Sequence, residues 1–170
     1  MNGKVRQRPG PTTEHKTMEP QKGVVRALAL RAEKSDPMQE IDHAVLVPGD
    51  GVEGEARSPG KRQITLLAEE AWTVTCKELD ASLPWWTRRA NVLLAGIDLQ
   101  NSVDKEIHIG PAVIRVHGET RPCALMDELH DGLRTALKPD MRGGVFGEVL
   151  RGGTIKPGDV AQLVDQQPSS

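Results

Sequence analysis

The sequence predicts a mainly β fold, a barrel or a sandwich, carrying a few peripheral helices. Three observations lead there. Eight short apolar or β-branched runs recur along the chain, separated by Gly, Pro, Asp and Asn. Helical spacing of apolar residues appears in only two segments. Aromatic residues are scarce, with three Trp, one Phe and no Tyr, so Val, Leu, Ile and Ala must build the core. Short strands at this spacing favour a barrel or sandwich over a parallel α/β sheet.

Residues 1–22 come first. They hold five basic and two acidic side chains, a net of +3, and almost no large apolar groups. A stretch that can bury so little is expected to remain a flexible basic tail. The ordered domain is expected over 23–165. Its strands are predicted at Val24–Leu30, Ala44–Val47, Gln63–Leu67, Asn91–Leu94, Ile107–Ile109, Ala112–His117, Val145–Leu150 and Val160–Val164. The first helix is predicted over 68–79, where Trp72, Cys76 and Leu79 share one face. On that face Cys76 reads as inert packing. A second helix is predicted over 124–137, with Leu125, Met126, Leu129, Leu133, Ala136 and Leu137 as its apolar stripe and Pro139 as its stop. Residues 166–170 read as a frayed end.

Composition excludes several functions. A formal net charge of −2 gives no overall pull toward nucleic acid, and stacking platforms for single strands need aromatics that are absent. No apolar run approaches a membrane span, and no apolar segment resembles a secretory signal, so neither a membrane nor nucleic acid is an expected partner. Two cysteines make no disulfide framework, and a reducing cytoplasm is the expected compartment. His43, His108, His117 and His130 show no metal-ligand spacing with Cys or a second His. Gly60-Lys61-Arg62-Gln63 lacks the spacing of a phosphate-binding loop, and Gly49–Glu55 lacks that of a calcium loop and reads as a solvated turn. The Gly-x-Ser-x-Gly elbow of hydrolases is also missing.

One setting carries chemistry. Cys123 follows Arg121-Pro122 at the corner between a predicted strand and the second predicted helix. A helix start and a guanidinium both favour the thiolate, which attacks sulfur or binds a soft metal. The same residue could instead be a small buried hydrophobe. Arg62, Arg89, Arg121 and Arg142 each sit where an apolar segment meets turn residues. If the fold brings those edges together, they form an anion pocket beside Cys123, because guanidinium forks suit phosphate oxygens. In Arg142-Gly143-Gly144, successive glycines could let backbone N–H groups approach an anion, or could simply make a turn. Arg151-Gly152-Gly153 reads as a connection between strands.

Taken in order, these segments resemble the MOSC domain, named after the C-terminal domain of molybdenum cofactor sulfurases. The matching pieces are Gly51-Val52-Glu53-Gly54, Arg62–Leu67, Arg89-Ala90-Asn91-Val92-Leu93 with Gly96–Leu99, Ile109-Gly110-Pro111-Ala112, Pro122-Cys123, Arg142-Gly143-Gly144-Val145 and Gly153–Asp159. Each is weak alone; the ordered set with Pro-Cys is specific. Many family members carry Gly-Asp and then His near Glu55, where this chain has Glu55-Ala56-Arg57.

The resemblance implies a β-barrel like the small β domain of pyruvate kinase. It implies that Cys123 carries sulfur or ligates molybdenum, and that Arg62, Arg89, Asn91 and Arg142 line a pocket for the molybdenum cofactor (molybdopterin). The expected function is a stand-alone unit that binds this cofactor or carries sulfur on Cys123. As an enzyme it would be a molybdenum-dependent reductase of small N-hydroxylated compounds, with electrons from a separate donor protein. The alternative is a non-catalytic module that delivers cofactor or persulfide. The chain shows neither the N-terminal β-barrel and ferredoxin-like domains of larger relatives nor a desulfurase domain. Sulfur is therefore expected to arrive from a partner such as a cysteine desulfurase.

Overall fold

A computed structural model of the chain describes residues 21–56 and 60–165. The expected tail and frayed end fall outside these residues, except that Gln21 and Lys22 open the first strand.

Seven strands close into a barrel. They are β1 (Gln21–Leu30), β5 (Ile64–Ala68), β6 (Val92–Ala95), β7 (Glu106–Ile109), β8 (Ala112–Glu119), β9 (Val145–Arg151) and β11 (Val160–Val164). Around the barrel the order is β11-β7-β8-β9-β5-β6-β1, and β1 returns to β11 to complete the ring. Closure removes the unpaired edges that an open sheet would expose. Every neighbouring pair is antiparallel except β5–β6, which is parallel. Parallel neighbours need a crossover. Here the link contains helix α1 (Glu69–Glu78) and a 3₁₀ turn at Trp85–Arg88. Strand β2 (Gln39–Ile41) extends β1, and β3 (Ala44–Val47), β4 (Gly51–Val52) and β10 (Gly153–Ile155) form a small second sheet.

The period-two pattern of the strands explains two separate cores. Inside the barrel, Leu28, Leu66, Val92, Leu94, Ile107, Ile114 and Val145 pack together. On the outer wall, Ala29, Leu67 and Leu93 meet Trp72, Trp85, Met126, Leu133 and Leu137. Leu66 and Leu67 are thus both wholly buried on opposite faces of one strand. This two-sided burial accounts for the unbroken apolar runs of β5 and β6. Helix α1 lies where its spacing predicts, with Trp72 buried and Cys76 half-buried against the outer core.

The second helix departs from the expectation. It breaks into α2 (Ala124–Leu129) and α3 (Leu133–Leu137). Gly132, with φ +86°, turns the chain between them, a conformation glycine adopts without a Cβ clash. Asp127 Oδ1 accepts the Arg134 backbone N–H at 3.0 Å and so bridges the two pieces. The break leaves Leu129, expected on the buried stripe, 44% exposed. The short strands β2, β4 and β10 have no periodicity long enough to read and are created by pairing with distant segments.

Candidate functional site

A cleft of about 640 Å³ lies against the barrel. Its walls come from the turn after β4, the start of β5, the 3₁₀ turn before β6, and the corner between β8 and α2. These segments are far apart in sequence, and the closed barrel brings them together around one cleft.

Arg62, Arg89, Asn91, Arg121 and Cys123 all line this cleft. Cys123 is exposed and stands at the N-cap of α2 with an extended backbone and no capping hydrogen bond from its side chain. The expected support from a long helix is reduced, since α2 has only six residues. Positive charge interacting with the sulfur comes from the Arg88 guanidinium instead. Arg62 rests over the Phe146 ring, 5.1 Å from its centroid, which holds an otherwise exposed cation in place. The absence of a Cβ on Gly118 makes room for that ring, because an added carbon would lie 3.1 Å from it. Arg89 ends the 3₁₀ turn in the left-handed region at φ +64°.

Asn91 lines the cleft but is committed to the scaffold. Its Oδ1 accepts from the Thr65 backbone N–H and hydroxyl at 3.1 Å each. Its Nδ2 donates to Ala29 O and Glu55 Oε2 at 3.2 Å each. Glu55 also accepts the Arg31 backbone N–H at 2.9 Å. Burial pushes the Glu55 carboxyl above its ordinary value, while the hydrogen bonds from Arg31 and Asn91 pull the other way.

Arg142, Gly143 and Gly144 do not join the cleft lining. Arg142 turns to α1, where Nη1 and Nη2 donate to the Glu78 carboxylate at 2.6 and 3.1 Å. Nη1 also donates to Ala136 O. The hydrogen bond to Glu78 raises the Arg142 pKa, and the same contact lowers that of Glu78. The two glycines serve close backbone packing. A Cβ on Gly143 would stand 2.6 Å from Thr120 O, and one on Gly144 would stand 2.3 Å from Leu66 O. The Gly144 N–H is already used, donating to Met141 O.

Sequence reasoning missed Arg88, Arg31 and Thr120. Arg88 is only 6% exposed yet lines the cleft. Its Nη2 donates to Thr120 O, and its Nε has no hydrogen-bond partner among the described residues. The Thr120 hydroxyl is likewise buried and has no partner among them. Burial pushes the Arg88 guanidinium down to about 10, opposed by the neighbouring Cys123, so it stays a cation at neutral pH. The available signal was Arg88-Arg89 one residue after Trp85-Trp86: in a turn that follows a buried aromatic, one member of a charged pair can be sent inward. Local sequence does not say which. Glu53 and Glu55 add acidic groups to the cleft lining, with Glu55 beside Arg31. Among the described residues, no group of three or more His, Cys, Asp or Glu could hold a metal ion.

The sequence model of the MOSC domain matches residues 41–162. Solved structures with a similar fold include the YuaD protein from Bacillus subtilis, at 18% identity and a TM-score of 0.74, covering 88% of this chain and 99% of that one. YiiM from Geobacillus stearothermophilus aligns at 15% identity and a TM-score of 0.66, covering 84% and 75%. YiiM from Escherichia coli aligns at 15% and 0.62, covering 89% and 72%. No curated protein matches the sequence.

Proposed function

The chain belongs to the MOSC domain family, and from that premise we propose that its cleft binds an anionic pterin cofactor of the molybdopterin type, with Cys123 as the protein's sulfur ligand. The observation that carries this reading is the pairing of one exposed thiol with five arginines, Arg31, Arg62, Arg88, Arg89 and Arg121, around a single cleft. The donor set fits such a group. Soft thiolate suits molybdenum, and guanidinium forks suit a phosphate. The buried Arg88 Nε and Thr120 hydroxyl lack partners among the described residues, and buried polar atoms of that kind are nearly always satisfied. The cleft volume also falls within the range of about 300–1,000 Å³ common for small-molecule sites.

When bound, the group would supply two-electron redox chemistry at its metal. The chain's own contribution is narrower. Arg88 and Arg62 would neutralise anionic oxygens, Asn91 and Glu55 would keep the cleft wall in register, and Cys123 would present sulfur. In an oxidoreductase, a small-molecule substrate would enter from the open side and a separate protein would donate electrons.

The test is elemental analysis with pterin fluorescence on protein freshly purified from cells supplied with molybdate. Molybdenum and pterin should co-purify with the wild-type chain, and metal should fall in Cys123→Ser. Protein free of both would overturn the reading. The exposure of Cys123 also favours a second role, carriage of persulfide from a cysteine desulfurase. A persulfide mass on Cys123 after incubation with such an enzyme, without turnover of N-hydroxylated substrates, would support that role. No helix among the described residues is long and apolar enough to cross a membrane.

A further inference from the structure

We infer that Cys123 is a site of mixed-disulfide formation selective for small disulfides rich in carboxylate, the class to which glutathione disulfide belongs. The inference needs the cleft and does not depend on the cofactor.

Two observations carry it. The Cys123 thiol is exposed, so a disulfide in solution can reach it. The second is the environment of that thiol. Arg88 is 6% exposed, lines the same cleft, interacts electrostatically with Cys123, and holds a buried Nε without a hydrogen-bond partner among the described residues. A fixed buried cation with an unused donor calls for an anion. Arg62 and Arg121 line the same cleft at its exposed rim. Carboxylates of an incoming disulfide can therefore pair with guanidinium groups while its sulfur meets Cys123. Glu53, also in the lining, suits the ammonium groups that such peptides carry. Cys76, half-buried in the outer core, has no such surroundings and serves as an internal control.

The step is a thiol–disulfide exchange. The Cys123 proton goes to solvent, and Sγ attacks one sulfur of the reagent. The S–S bond of the reagent breaks as the Sγ–S bond forms. The departing half leaves as a thiolate and takes a proton from water. Cys123 is oxidised, and the departing half is reduced.

The experiment compares glutathione disulfide with cystamine, a cationic disulfide, each rate divided by that for free cysteine. Both reagents meet the same thiolate fraction, so their ratio reports recognition alone. At low ionic strength, the wild-type chain should favour glutathione disulfide by about ten-fold, with the preference shrinking as salt is raised. Peptide mass should place one glutathionyl group on Cys123 and none on Cys76. Arg88→Gln should reduce the preference. Arg121→Gln, at an exposed position where folding is not in question, should reduce it as well. Equal normalised rates, a preference for cystamine, a ratio unchanged in Arg121→Gln, or modification centred on Cys76 would each overturn the inference.

Discussion

Asn91 clamps Glu55 to the barrel: its Nδ2 donates to Glu55 Oε2 at 3.2 Å, while its Oδ1 accepts the Thr65 backbone N–H at 3.1 Å. One buried amide thereby joins β1, β5 and the turn after β4, the three pieces that form one wall of the cleft. Asn91→Ala strands the Thr65 N–H and the Ala29 carbonyl in a buried setting. The expected loss is about 2–4 kcal/mol, read from urea unfolding. A loss below about 1 kcal/mol would show that water replaces the clamp.

Glu55 gives a pH prediction. Burial raises its carboxyl pKa in the folded state. The native state then binds that proton more tightly than the unfolded chain does. This contribution to stability is fully present below the unfolded value, about 4.3, and is lost as pH rises through the folded value. Comparing wild type with Glu55→Gln, the difference in unfolding free energy should move in favour of wild type as pH falls from neutral toward that window. A difference that stays flat, or moves the other way, would contradict the assigned shift.

Arg142 and Arg88 should separate in anion binding. Arg142 is spent on Glu78 and α3, whereas Arg88 lines the cleft. Calorimetric titration with pyrophosphate should show at least about ten-fold weaker binding in Arg88→Gln, the size expected for a charge-assisted hydrogen bond. Arg142→Gln should bind as wild type does. The reverse ranking would return Arg142 to the site.

Two glycines with positive φ should differ in what they tolerate. Gly144→Ala adds a carbon 2.3 Å from a backbone oxygen at φ +93°. Backbone must move to relieve it, so a loss of about 2–4 kcal/mol is expected. Gly60 has φ +81° but nothing within 4 Å of the added carbon. Its alanine variant should lose only the left-handed strain, about 1–2 kcal/mol. Thermal unfolding of the pair checks the ranking.

Cys123→Ser should fold as the wild type does, within about 0.5 kcal/mol, because the thiol is exposed and caps nothing. Timed alkylation should label Cys123 before Cys76. Labelling of Cys76 first would mean that the outer core opens more readily than its packing implies.

The seven barrel strands and both helical regions were readable in the chain because their cause is local. Leu66-Leu67 and Val92-Leu93-Leu94 are apolar without interruption since both faces of those strands are covered, and Trp72 and Cys76 repeat at the helical period. Gly132 was visible as well, but whether a lone glycine breaks a helix depends on what packs around it. Here Asp127 reaches across to Arg134 and stabilises the break.

The corner holding Cys123 was likewise marked by its own residues, Pro122 and the strand before it. Membership of the cleft was not. Arg88 and Arg89 are adjacent and chemically alike, yet Arg88 is buried and Arg89 exposed. That choice follows from the Trp85–Arg88 turn, the Trp85 Nε1 bond to Glu40 Oε2, and the Thr120 carbonyl waiting beneath. Arg142 was chemically as suitable as any, and Glu78 on α1 drew it away. Residue type and spacing determine which elements form, because those depend on neighbours a few positions apart. Which side chains share a cleft depends on how a closed barrel places distant segments, and contacts made across 32 to 64 residues carry no local signature.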